Sequence, residues 1–170
     1  MKRLLTALVA ICIASTTAFA ADVKIGYIEM QRALNSSEAG KAAKEQLAAR
    51  LKKYQEEINA KQDELKKLKD ELEKQGAFLN DSTKSAKEKD YQQKLKEFQR
   101  FTKDAQEELQ GKDEEFTRKI LEGMEKVIKE YGRKNGYTFI FVRNESMLFA
   151  DEKADLTNEV LKQFNASYKK

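Results

Sequence analysis

The chain has 170 residues, with no proline, tryptophan or histidine and one cysteine, and its 33 basic residues stand against 29 acidic ones. Without histidine there is no Ser-His-Asp or Cys-His arrangement and no mixed Cys/His zinc site, so enzyme classes built on them are excluded. The nearly balanced charge does not fit a dedicated nucleic-acid binder, and a proline-free chain rich in Lys, Glu, Gln, Ala and Leu favours long unbroken helices.

The first 20 residues read as a cleavable secretory signal. Lys2 and Arg3 precede an apolar run from Leu4 to Ala14, relieved only by Thr6 and Cys12, and Ala18-Phe19-Ala20 is a small-x-small cleavage site. The run is too short for a membrane-spanning helix, although an uncleaved anchor is the alternative. Ile11 before Cys12 does not suit a lipidation site. Cleavage after Ala20 removes the only cysteine, so the mature chain has neither disulfide nor thiol nucleophile. It also removes Lys2 and Arg3, leaving 31 basic residues against 29 acidic and a net charge of +2. The expected location is the periplasm.

Beyond the signal, Val23, Ile25 and Tyr27 alternate with Lys24 and Gly26 and predict a half-buried strand. Asn35, with Glu38 three residues on, offers a capping box for a following helix. From about 36 to 131 the chain is helical in character, broken once at 76–85, where Gly76, Asn80, Asp81 and Ser82 are turn and cap residues. On the first arm Leu47, Leu51, Tyr54, Ile58, Lys61, Leu65, Leu68 and Leu72 alternate steps of four and three. Tyr91, Leu95, Phe98, Thr102, Ala105, Leu109, Lys112 and Phe116 repeat the pattern on the second. Folding between Asp81 and Ser82 sets Leu72 against Tyr91, Leu65 against Phe98, Tyr54 against Leu109 and Leu47 against Phe116, as an antiparallel coiled-coil hairpin. Two layers are polar, Lys61 with Thr102 and Leu51 with Lys112, and either fix register or loosen the arm. Gly40 and Gly123 fall at one level near the arm base, where they would allow close approach or bending. Lys61, Lys112, Gly40 and Gly123 are therefore the candidates for arm flexing.

Gly132 and Gly136 are expected to end the second arm. Tyr137–Arg143 reads as a strand, Arg143–Ser146 as a turn and Met147–Ala150 as the returning strand, before a short helix capped by Asp155 or Thr157. The fold class is thus α+β and mostly helical. A small strand body, 21–36 and 132–170, carries a hairpin arm, 37–131. A body of about 50 residues is small to stand alone without disulfides or metal, and joining copies through the strands is the economical remedy. Ile25, Tyr27, Phe139 and Phe141 are the candidates for that contact.

Carboxylates are plentiful but lie mixed with Lys on helix faces, as a solvated surface does. Residues 61 to 103 carry twelve basic and nine acidic groups, and 104 to 130 carry five and nine, so the distal half is the more positive. The tip adds Ala77, Phe78 and Leu79. Exposed apolar residues beside mobile positive charge suit weak, non-specific binding of unfolded chain. The candidate contacts are Ala77, Phe78, Leu79, Lys84, Lys87, Lys89 and Lys94. The plain alternative is that Phe78 and Leu79 close the end of the hairpin core.

Several stretches resemble the Skp (OmpH-like) periplasmic chaperone family: Lys24-Ile-Gly-Tyr-Ile-Glu-Met-Gln-Arg-Ala-Leu-Asn35, Glu38-Ala-Gly-Lys-Ala-Ala-Lys-Glu-Gln46, Lys94-Leu-Lys-Glu-Phe-Gln-Arg100, Leu148-Phe-Ala-Asp151 and Asp155-Leu-Thr-Asn-Glu-Val-Leu161. The first and last are the more specific. The resemblance covers essentially the whole mature chain. It implies a homotrimer with three arms around a cavity that holds unfolded outer-membrane β-barrel proteins, without ATP or any other cofactor. Lipopolysaccharide or an anionic membrane surface would be a further partner, and nucleic acid none. The family's more basic members differ from this chain, whose mature charge is only +2. The rival class is a periplasmic coiled-coil adaptor that binds one folded partner through its tip.

Overall fold

The computed structural model describes residues 23–75 and 78–168. The signal segment, Gly76 and Ala77 lie outside the described residues. The elements in chain order are β1 (Ile25–Ile28), α1 (Met30–Ser36), α2 (Glu38–Gln75), α3 (Asp81–Lys134), β2 (Phe139–Val142), a 3₁₀ turn (Glu152–Ala154) and α4 (Thr157–Tyr168).

The two long helices form the hairpin. At about 1.5 Å per residue, α2 is about 57 Å long and α3 about 81 Å. Asn80 caps α3, its side chain accepting from the Thr83 N–H at 2.8 Å. Both seams face inward as the heptad pattern requires. Leu65 and Ala105 are fully buried and the other seam residues half-buried, except Leu51, which stays 55% exposed.

The register differs from the expectation. Folding between Asp81 and Ser82 would set Glu71 beside Gln92 and Glu64 beside Gln99. Instead Glu71 holds Lys87 at 2.6 Å and Glu64 holds Lys94 at 2.7 Å. The helices stop at Gln75 and restart at Asp81, so the turn centres on residue 78 and is shorter than the 76–85 expected. Sliding one arm by a heptad accounts for both facts, because it keeps every apolar seam facing and moves the fold point by half a heptad. The polar layers dissolve with it: Lys61 lies 5.2 Å from the Phe101 ring centroid, and the Thr102 hydroxyl turns back to the Phe98 carbonyl.

At the base, β1 and β2 pair in parallel, Ile25 with Phe139 through Ile28 with Val142, joined by the whole hairpin as crossover. Ile28 points inward to a core of Ala33, Ala39, Ile120, Met124, Val127, Leu156, Val160 and Phe164. The body therefore packs the base of α3 between α1, α4 and the sheet. Among the described residues the body has one strand pair and a single bridge, Tyr27 to Asp155, rather than the three strands expected. Met147–Ala150 forms no strand, since no edge within the chain receives it.

The helix α1 and its junction with α2 also depart from the expectation. Ser37, not Asn35, is the cap. Fully buried, its hydroxyl donates to the Leu34 carbonyl at 2.8 Å and accepts from the Gly40 N–H at 2.9 Å. Asn35 lies inside α1. The bend is tight enough that a Cβ on Gly40 would stand 2.1 Å from the Leu34 carbonyl oxygen. Gly123 faces Phe164 of α4 instead of Gly40, with the ring 2.8 Å from where a Cβ would be. Both glycines thus serve close packing. Gly132 is interior to α3 and buried under Ile140, while Gly136, at φ +69°, ends the helix as expected.

Candidate interaction surfaces on the arm and the sheet

Two surfaces stand out. The first is the outer face of the strand pair. Strand alternation places Ile25, Tyr27, Phe139 and Phe141 together there, with the two phenylalanine rings stacked at 5.9 Å. Ile25, Phe139 and Phe141 are about half exposed. Tyr27 departs from them at 3% exposure. The Arg143 guanidinium stands 5.5 Å from its ring centroid, and Met147, Phe149, Ala150 and Ala154 line a groove beside it. Tyr27 is buried within its own chain, so it offers no side chain to a neighbour. The same segment contributes what the sequence reading missed: Leu148 is 96% and Phe149 87% exposed. Their apolar run was the available signal. Read as a paired strand, it concealed two large side chains without cover.

The segment is anchored by charge. Glu29 binds Arg143 at 2.6 Å and Arg32 at 2.9 Å, and Arg32 also binds Asp155. Burial raises the Asp155 carboxyl, but bonds from the Thr157 hydroxyl and N–H and from Arg32 outweigh it and hold the group below its ordinary range. Asp155 thus supplies the capping role expected near the start of α4.

The second surface is the distal arm. Phe78 is 90% exposed at the tip, so it does not close the hairpin core; Leu79 is half-buried. Ala77 lies outside the described residues. Of the candidate cations, Lys87 and Lys94 are occupied by Glu71 and Glu64 across the seam. The bond from Lys94 holds the Glu64 carboxyl down and raises the Lys94 ammonium. Lys84 and Lys89 are exposed and form no ion pair among the described residues, as do Lys66, Lys67 and Lys96. Nearer the base, Glu115 binds both Lys112 and Lys119, whose hydrogen bonds lower its pKa to about 2. Lys112, half-buried in the seam, is therefore paired within its own helix.

The family model described as outer membrane protein (OmpH-like) matches residues 24–164, from β1 through α4. The chain belongs to the OmpH-like family. Among solved structures it is similar to an OmpH-like outer-membrane chaperone candidate from Caulobacter crescentus, with a TM-score of 0.79 at 17% identity over 85% of each chain. At that identity the likeness establishes the shared fold. No curated protein matches the sequence. Among the described residues of this OmpH-like chain, no helix is long and apolar enough to cross a membrane, and no group of three or more Cys, Asp or Glu side chains could hold a metal ion.

Proposed function

We propose that this OmpH-like chain is a periplasmic holdase chaperone that works without ATP or catalysis. Three copies join through the exposed sheet faces, and their arms enclose unfolded outer-membrane β-barrel proteins and prevent their aggregation. The observation that carries this reading is the division of the molecule. The enclosed core lies in the body, while the arm is a two-helix seam that ends in an exposed Phe78, with Lys84 and Lys89 exposed and without an ion pair among the described residues nearby in the chain. Many weak contacts from several arms give avidity that no single arm has. The apolar patch of Ile25, Phe139, Phe141, Leu148 and Phe149 supports self-association, since a small body with bare aromatics gains most by covering them. The unpaired distal lysines also suit lipopolysaccharide or an anionic membrane surface as a further partner.

The test is sedimentation of residues 21–170, alone and with a urea-unfolded outer-membrane β-barrel protein diluted into the mixture. The expected result is a trimer that keeps the barrel protein in a soluble complex. A trimer beside aggregated barrel protein overturns the chaperone reading. That result favours an adaptor that uses Phe78 to hold one folded partner, and a monomer overturns the assembly.

A further inference from the structure

The two flanks of the hairpin seam are built from different chemistry. One flank is stitched to itself. Glu71–Lys87, Glu64–Lys94 and Arg50–Glu108 bridge the arms at 2.6, 2.7 and 2.6 Å. These residues lie a heptad or two apart on each helix. Phe101, the next residue in the same row, packs edge-on against Tyr54 at 5.9 Å and under Lys61. Tyr54 in turn donates to Glu108 at 2.6 Å. This flank has little left to offer a partner.

The other flank carries a row of glutamines, each directly following a seam residue: Gln55 and Gln62 on α2, and Gln92, Gln99 and Gln106 on α3. All five are exposed. Gln55 donates to Asn59 on the next turn of its own helix, and the other four make no hydrogen bond among the described residues. The outer faces of both helices are filled with charge, much of it in pairs such as Arg100–Asp104 and Lys103–Glu107. Between Lys69 and Asp113, which end the two rows, the glutamine flank is thus a neutral hydrogen-bonding strip between a closed flank and charged outer faces.

We propose that this glutamine flank is the side of each arm that lies against a captured chain, and that it binds peptide backbone in extended polypeptide. A primary amide offers two donors and an acceptor, the same repertoire as the peptide group. It carries no charge to select particular side chains. Along each helix the glutamines repeat every seven residues, about 10.5 Å apart, which is about three residues of an extended chain. A strip with that repeat meets every third peptide group of an extended chain, whatever the sequence between them. The inference rests on the chaperone reading above and states which surface of the arm does the holding.

The mature chain lacks cysteine, so single-cysteine variants report cleanly. Q62C and Q99C place a benzophenone label on the glutamine flank, E64C and K94C on the stitched flank, and K67C on the outer face. Each labelled protein is mixed with urea-unfolded outer-membrane β-barrel protein, and the soluble complex is isolated and illuminated. The proposal expects crosslinking several-fold stronger from positions 62 and 99 than from the other three. Equal yields, or stronger crosslinks from positions 64 or 94, overturn it while the chaperone reading stands. If the unlabelled protein forms no complex, the chaperone reading fails and takes this one with it. A variant with all five glutamines changed to glutamate should keep its helicity and assembly but hold the barrel protein several-fold less tightly. Undiminished binding by that variant also overturns the proposal.

Discussion

The body and the arm are made from the same helices and are stabilised in different ways. At the base, α3 presents Ile120, Met124 and Val127 to three neighbouring elements, and Met124 and Val160 are completely enclosed. Along the arm the same helix has one neighbour, and among the described residues only Leu65 and Ala105 are buried there. A two-helix seam covers each residue from one side, whereas the body closes over its core. Sparse burial of this kind predicts that the arm opens before the body does, which hydrogen exchange along α3 would show as faster exchange in the arm than at Ile120–Val127. The difference teaches that length alone confers no rigidity. α3 contributes a buried strut at one end and a weakly held limb at the other.

Substitutions that separate the two regions should rank accordingly. Met124→Ala removes a side chain from the enclosed core and should cost about 2–5 kcal/mol, read as a lower midpoint of global unfolding. Gly40→Ala forces a methyl group against the Leu34 carbonyl and should cost about 1–3 kcal/mol through displacement of the bend at Ser37. Calorimetry should show the loss without any change at the tip. Asp155→Asn sharpens the comparison through pH. The Asp155 carboxyl is held below its ordinary value of 3.8, so it stabilises the body above that pH and the contribution fades as pH falls through the lower folded-state value. The variant should be less stable than the parent near neutrality and converge with it in acid. Urea melts at several pH values check this, and a gap that widens in acid contradicts it. Leu51→Ala, at an exposed seam position, should change stability by about 0.5 kcal/mol or less. A loss as large as that of Met124→Ala would mean the arm is packed like the body after all.

The arm was legible in sequence because a heptad pattern is local: each seam residue announces itself by its spacing from the next. Its register was not, because a slip of seven residues leaves Leu65 or Ile58 facing an apolar partner in either arrangement. Only the turn and the Glu64–Lys94 and Glu71–Lys87 pairs decide between them. The body was legible in outline, through the strand alternation at Ile25–Tyr27 and the apolar run at Phe139–Val142. Its details depend on contacts between residues far apart in sequence. Ser37 prevails over Asn35 as cap because the bend buries it against Gly40. Tyr27 parts from Ile25 because a segment more than a hundred residues later covers it. The short helix α1 left one signal, Met30, Ala33 and Leu34 at helical spacing. Of the candidate contact residues, Phe78, Lys84 and Lys89 are exposed, whereas Lys87 and Lys94 have partners that no one-dimensional reading of charge supplies.

The central claim is that the body assembles and the arm acts. Arg50 and Glu108 lie side by side across the seam, which marks where the arm can be cut. Replacing residues 51–107 with a short turn should leave a body that sediments as the same oligomer as the full chain. That shortened protein should fail to keep an unfolded outer-membrane β-barrel protein soluble. If it suppresses aggregation as well as the full chain does, the account is contradicted.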